Sequence, residues 1–135
     1  MSEAACIFCK FSNGEIKPIT VYEDDKCIVF LDKFPLTKGQ TLVVGKKHID
    51  NVFDLSDEDY QHVFNVAKRI VKASDTAFNT IRTWLLVQGM QVAHNHIKIL
   101  PIYDGEYPDL TEGSGPEVSE DVLEEQAEKL KNNLM

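Results

Sequence analysis

The sequence predicts an α+β domain with a mostly antiparallel sheet. Two observations carry this expectation. Five short runs rich in β-branched and aromatic residues are separated by turn-forming residues. One long amphipathic stretch with helical spacing falls between the third run and the fourth.

The elements follow in order. After "CIFCKF" the residues "SNGE" form a turn, and "ITVYED" and "KCIVFLD" then read as two strands joined at Asp24–Asp25. Pro35 and Gly39 punctuate the loop "KFPLTKG", and "QTLVVGKKH" is a third strand that runs out into Lys46, Lys47 and His48. Ser56 is a helix cap, with Asp57, Glu58 and Asp59 complementing the dipole in the first turn. Tyr60, Val63, Phe64, Ala67 and Ile70 repeat at helical spacing, predicting a helix that ends near Phe78. "IRTWLLVQG" and "VAHNHIKIL" are the last two strands, with Gly89 near their turn. "DGEYPDLTEGSGPEV" reads as a polar linker, and Ser119 caps a last helix with Leu123, Ala127, Leu130 and Leu134 along one face. The expected division is a domain over 1–103 and an acidic tail with a short helix over 104–135.

Charge follows the same division. Residues 1–103 hold twelve acidic and twelve basic side chains, so the formal net charge of −8 lies wholly in the tail. A neutral body with an acidic tail argues against bulk nucleic-acid binding, which needs a basic face. A small anionic ligand held by a few local groups is compatible with it. No apolar run approaches the roughly 20 residues that span a bilayer, so no membrane partner is expected. The N-terminal residues lack the pattern of a signal peptide, and the expected location is cytoplasmic.

Three cysteines in such a chain suggest metal or redox chemistry rather than a disulfide framework. Cys6 and Cys9 form a C-x-x-C, whereas Cys27 reads as a small buried hydrophobe. His62, on the long helix, reads as an exposed surface residue. On a strand, His94, His96 and Lys98 would share a face. That pattern alone fits a solvent-facing polar stripe as well as a phosphate-chemistry site.

Several blocks together resemble the histidine triad (HIT) family, in its bacterial-type, Hint-like form. They are "CIFCK", "VFLDKFPLTKGQTLVVGKKH", the long helix after "VFDLS", and H-x-H-x-K-x-x-P ending at Pro101. The resemblance spans about three quarters of the chain. It implies a HIT-like fold with a five-stranded sheet and one long helix, paired as a homodimer. The implied activity is hydrolysis or transfer at the α-phosphate of a purine nucleotide, a phosphoramidate or a dinucleoside polyphosphate. In that family the nucleophile is the histidine five residues before the proline, here His96, which forms a nucleotidyl-histidine intermediate.

Lys98 stands where the third histidine is expected and is assigned catalytic and phosphate-binding roles. A lysine donates hydrogen bonds but normally stays charged, unlike a histidine near neutrality. Upstream, Met90 stands at an expected glutamine and Gln91 at a hydroxyl position, making Gln91 a substitute phosphate donor. By the same resemblance Asp32 accepts from the ribose hydroxyls, and Ile28, Phe30 and Leu31 contact the base. Lys33 occupies a position that is often apolar in the family. Cys6, Cys9, His48 and His94 match positions that jointly hold a structural zinc ion, one per chain, in several members. Two other functions remain open: a nucleotide-binding regulator with a non-catalytic site, and a nucleotidyltransferase with an acceptor other than water. The tail is open between a solubilising appendage and a docked element that gates the pocket.

Overall fold

The computed structural model describes residues 3–134. Five strands form one sheet: β1 (Thr20–Glu23), β2 (Cys27–Leu31), β3 (Thr41–Gly45), β4 (Arg82–Leu86) and β5 (His96–Ile102). Their order across the sheet is β1-β2-β3-β5-β4, and every neighbouring pair is antiparallel. Three α-helices accompany them: α1 (Ile7–Ser12), α2 (Asp57–Phe78) and α3 (Glu120–Asn132). The α+β class, the five strands and the long helix are those expected from the sequence.

Helix α2 begins where its cap places it. Ser56 Oγ accepts from the Asp59 N–H, and three acidic residues fill the first turn. It ends on Asn79 in the left-handed conformation, φ 53°. Val63, Val66, Ala67 and Ile70 are buried against one face of the sheet, where they meet Val29, Val43, Ile97 and Ile99. Alternate residues of the central strands point the other way. Ile28, Phe30, Leu42 and Val44 form a second cluster with Cys6 and Phe8 at the start of the chain. Cross-strand register then fixes the polar residues of β5. His96 pairs with Val44 and Lys98 with Leu42, so both belong to the second face.

Three local features differ from the sequence reading. The fifth strand starts at His96, not Val92. The His94 N–H turns back to Val92 O, and the Asn95 N–H donates to Ile49 O. The Asn95 side-chain amide donates to Lys47 O and Ile49 O. The chain is thus tied to the segment after β3 before it enters the ladder, and His94 lies outside the strand. Gly45 makes this approach possible, because a Cβ there would overlap Asn95 Oδ1. Second, His62 is not a free surface residue, since its Nε2 lies 2.6 Å from Asp24 Oδ2. Asp24 also accepts from Tyr22 OH and from the N–H groups of Lys26 and Cys27, which closes the β1–β2 turn.

Third, the last helix is not a solvated appendage. Leu123, Ala127 and Leu130 are buried in the core that α2 shares with the sheet. The acidic positions of α3 face outward, and its apolar stripe covers the β1–β2 end of the sheet. Among the described residues, no helix is long and apolar enough to cross a membrane.

Candidate active site and metal group

Four side chains converge beside the second face of the sheet. Cys6 caps α1 and Cys9 lies within it, His48 follows β3, and His94 precedes β5. His48 Nδ1 is 3.1 Å from Cys9 Sγ, and His94 Nδ1 is 3.3 Å from Cys6 Sγ and 3.3 Å from His48 Nδ1. Nitrogen ligands held about 2.0–2.1 Å from a tetrahedral ion lie about 3.3–3.4 Å apart, so the two imidazoles have a ligand spacing. All four donor atoms lie within 4.8 Å of one another.

The surroundings prepare those donors. His94 Nε2 lies 2.5 Å from Gly45 O, so Nε2–H donates there and Nδ1 keeps its lone pair. Cys6 Sγ accepts from the Cys9 N–H, the group left without a partner in the first turn of α1. Burial, with Cys6 beside it, pushes the Cys9 thiol up to about 11. A cation between the sulfurs would reverse that penalty. The donor set and its spacing fit a divalent metal ion.

His96 follows directly from this group. Its Nδ1 is 2.7 Å from His94 O, so Nδ1–H donates to the carbonyl and Nε2 holds the lone pair. Phe8 packs edge-on against the imidazole, with ring centroids 5.0 Å apart. Burial lowers the His96 pKa, an effect partly offset by its bond to His94. Lys98 is also buried, which lowers its pKa against the pull of Glu112 and Asp32. Its Nζ donates to Gln88 Oε1 at 2.8 Å.

His96 and Lys98 open onto a cavity of about 760 Å³, and Phe30, Leu31, Asp32 and Gln91 also line it. Ile28 does not. It lies on the same face but is buried in the cluster that also holds Cys6 and Phe8. Asp32 is held by the Phe34 N–H at 2.8 Å and by Gln40 Nε2 at 3.0 Å. Burial raises the Asp32 pKa despite the Phe34 N–H and the nearby Lys98.

Gln40 and Glu112 also line the cavity, and neither is assigned to the site in the sequence reading. Gln40 orients Asp32 and also accepts from the Leu36 N–H, which fixes the loop between β2 and β3. Its position in "TKGQT" gave no sign of this. Glu112, from the acidic segment, places its carboxylate 3.8 Å from Lys98 Nζ. The sequence reading treats its segment only as a polar linker.

Residues 13–105 match the HIT domain. Protein hit of Bacillus subtilis is 39% identical over 103 residues, covering 73% of this chain and 71% of that protein. The adenosine 5'-monophosphoramidase of Schizosaccharomyces pombe is 32% identical over 104 residues, covering 76% and 78%. A hypothetical histidine triad nucleotide-binding protein of Sulfolobus tokodaii superposes with a TM-score of 0.82 at 30% identity, covering 95% of this chain and 91% of that one. A zinc-bound histidine triad protein of Mycobacterium smegmatis, 24% identical, shares the fold with a TM-score of 0.83 over 98% of this chain and 94% of that one. The matched domain takes in all five strands, the long helix and the H-x-H-x-K segment, and by sequence and by fold this chain belongs to the HIT domain family.

Proposed function

We propose that the protein is a nucleotide hydrolase or transferase acting at the α-phosphate of a purine nucleotide, with His96 as nucleophile. The observation that carries the reading is the His96 tautomer: Nδ1–H is spent on His94 O, which leaves Nε2 nucleophilic in a cavity that also contains Lys98. Nε2 attacks the α-phosphorus in line. A P–N bond forms as the bond to the leaving group breaks, giving a nucleotidyl-histidine, and water or another acceptor then takes the nucleotidyl group. Lys98 supplies positive charge to the phosphate oxygens, where electron density accumulates. Asp32, an acceptor-only carboxylate, receives the ribose hydroxyls, with Phe30 and Leu31 against the base. Gln91 contributes a donor to the phosphate. Substrates of this class are nucleoside phosphoramidates and dinucleoside polyphosphates.

In the same reading Cys6, Cys9, His48 and His94 hold one zinc ion per chain. With four protein ligands such an ion has no open position, and its contribution is structural, tying α1 to the chain entering β5. The protein works as a homodimer in the cytoplasm. Strand β4 supports the pairing, because it lies at the edge of the sheet with Leu85 exposed.

A non-catalytic nucleotide-binding protein is the second reading, favoured by the lysine in the third triad position. Steady-state hydrolysis of adenosine 5'-phosphoramidate separates the two. Turnover by the wild type that His96→Ala abolishes supports the enzyme. Binding without turnover in both proteins supports the regulator.

A further inference from the structure

The segment between β5 and α3 crosses the mouth of the cavity as a strap fixed at both rims. On one rim Gln88 Nε2 donates to Leu110 O at 2.7 Å, and Gln91 Nε2 donates to Glu112 O at 3.1 Å. On the other, the Val118 N–H donates to Lys33 O and Lys33 Nζ pairs with Glu117 at 3.2 Å. Gly115 passes so close to this rim that a Cβ would overlap the Pro35 carbonyl oxygen. The lysine at a position often apolar in the family thus serves as an anchor for the strap.

Between the two anchors, Glu112 turns inward. Its Oε1 accepts from the Gln91 N–H at 2.9 Å and its Oε2 from the Met90 N–H at 3.2 Å. The Lys98 ammonium lies 3.8 Å from Oε2, and only 12% of the Glu112 side chain is exposed. Two consecutive backbone N–H groups and a cation around one anion form a nest of the kind that binds phosphate. The donors belong to the loop leading into the H-x-H-x-K segment and to that segment's lysine. The group they hold is a carboxylate of the chain itself.

We infer that Glu112 is an intramolecular competitor for the phosphate of a bound nucleotide, occupying the donors Met90 N–H, Gln91 N–H and Lys98 Nζ. This rests on the reading of the cavity as a nucleotide site. A nucleotide phosphate takes these donors only when Glu112 leaves them, so the apparent affinity is the intrinsic affinity reduced by the fraction of molecules with the strap displaced. A nucleoside without phosphate makes no use of these donors and does not compete with the carboxylate. The strap therefore discriminates among ligands by their anionic group.

Isothermal titration of the full chain and of Glu112→Gln, each with AMP and with adenosine, tests the inference. The amide keeps the size of the side chain but loses the charge and one acceptor oxygen. AMP is expected to bind the variant about 10-fold more tightly or better, as a strap displaced in a tenth or fewer of the molecules requires. Adenosine affinity is expected to change less than about 2-fold, because a nucleoside without phosphate does not compete with the carboxylate for these donors. Unchanged or weaker AMP binding by the variant, with the wild type still binding AMP, overturns the competition and leaves the nucleotide reading intact. Equal tightening of both ligands also overturns it, since the strap would then act as a cover and not as an anion. AMP binding to neither protein overturns the nucleotide reading together with the inference.

Discussion

Nδ1 of His96 lies 2.7 Å from the backbone oxygen of His94. One residue of the candidate metal-ligand cluster therefore orients the proposed nucleophile, although the two side chains face different groups. His94 Nδ1 faces the sulfurs, its Nε2 is anchored on Gly45, and its carbonyl sets the tautomer of His96. Moving His94 moves the bond on which the lone pair of His96 Nε2 depends.

Metal analysis of the purified protein is expected to give one zinc per chain. Cys9→Ala is expected to abolish that stoichiometry and to cost several kcal/mol of stability, on the order expected for a structural metal site that folds with its ligands. Thermal unfolding with and without a chelator checks this. A metal-free wild type whose melting temperature ignores the chelator contradicts the assignment.

The charge proposed for Lys98 leads to different expectations for its two informative substitutions. Lys98→Met is expected to lower kcat by about 10²–10³, the usual loss for one donor to a developing oxyanion. Lys98→His, which restores the third histidine, is expected to leave hydrolysis unchanged or raise it. Complete loss of activity in Lys98→His would show that the lysine has a chemical role that histidine cannot perform.

Asp24 gives the fold an acid-sensitive tie. Burial alone would raise its pKa, but Tyr22 OH, the N–H groups of Lys26 and Cys27, and His62 together hold it well below the usual carboxylate range. A depressed folded pKa gives stability that is fully present above the unfolded value and lost as pH falls toward the folded one. Asp24→Asn is therefore expected to cost about 1–3 kcal/mol at pH 7, as for hydrogen bonds to a charged group. That cost should shrink as pH drops below about 4, near the ordinary aspartate pKa. Urea unfolding of both proteins at pH 7 and pH 3 measures it, and a cost independent of pH contradicts the role given to the charge.

Features set by local chemistry were legible in the sequence. The cap at Ser56 and the apolar spacing after it place α2 within a residue, because both signals lie within the helix itself. The four possible metal ligands were recognisable as residue types in a family pattern. Features set by distant contacts were not. Asn95 bonds to Lys47 O and Ile49 O draw His94 out of the strand, across more than forty residues of chain. Ile28 shares a face with Phe30 as expected, but it is buried in the cluster with Cys6 and Phe8 and does not line the cavity. Glu112 reaches Met90 and Gln91 by a return of the chain that a turn-rich segment permits but does not specify.

The most direct test of the central claim is intact-mass spectrometry after rapid quenching of the protein with adenosine 5'-phosphoramidate, in mild base because phosphohistidine bonds are acid-labile. Wild-type protein is expected to carry one added adenylyl group, located by fragmentation on His96, and His96→Ala is expected to carry none while keeping the wild-type melting temperature. An adenylyl group on a residue other than His96, or undiminished turnover by His96→Ala, would contradict it.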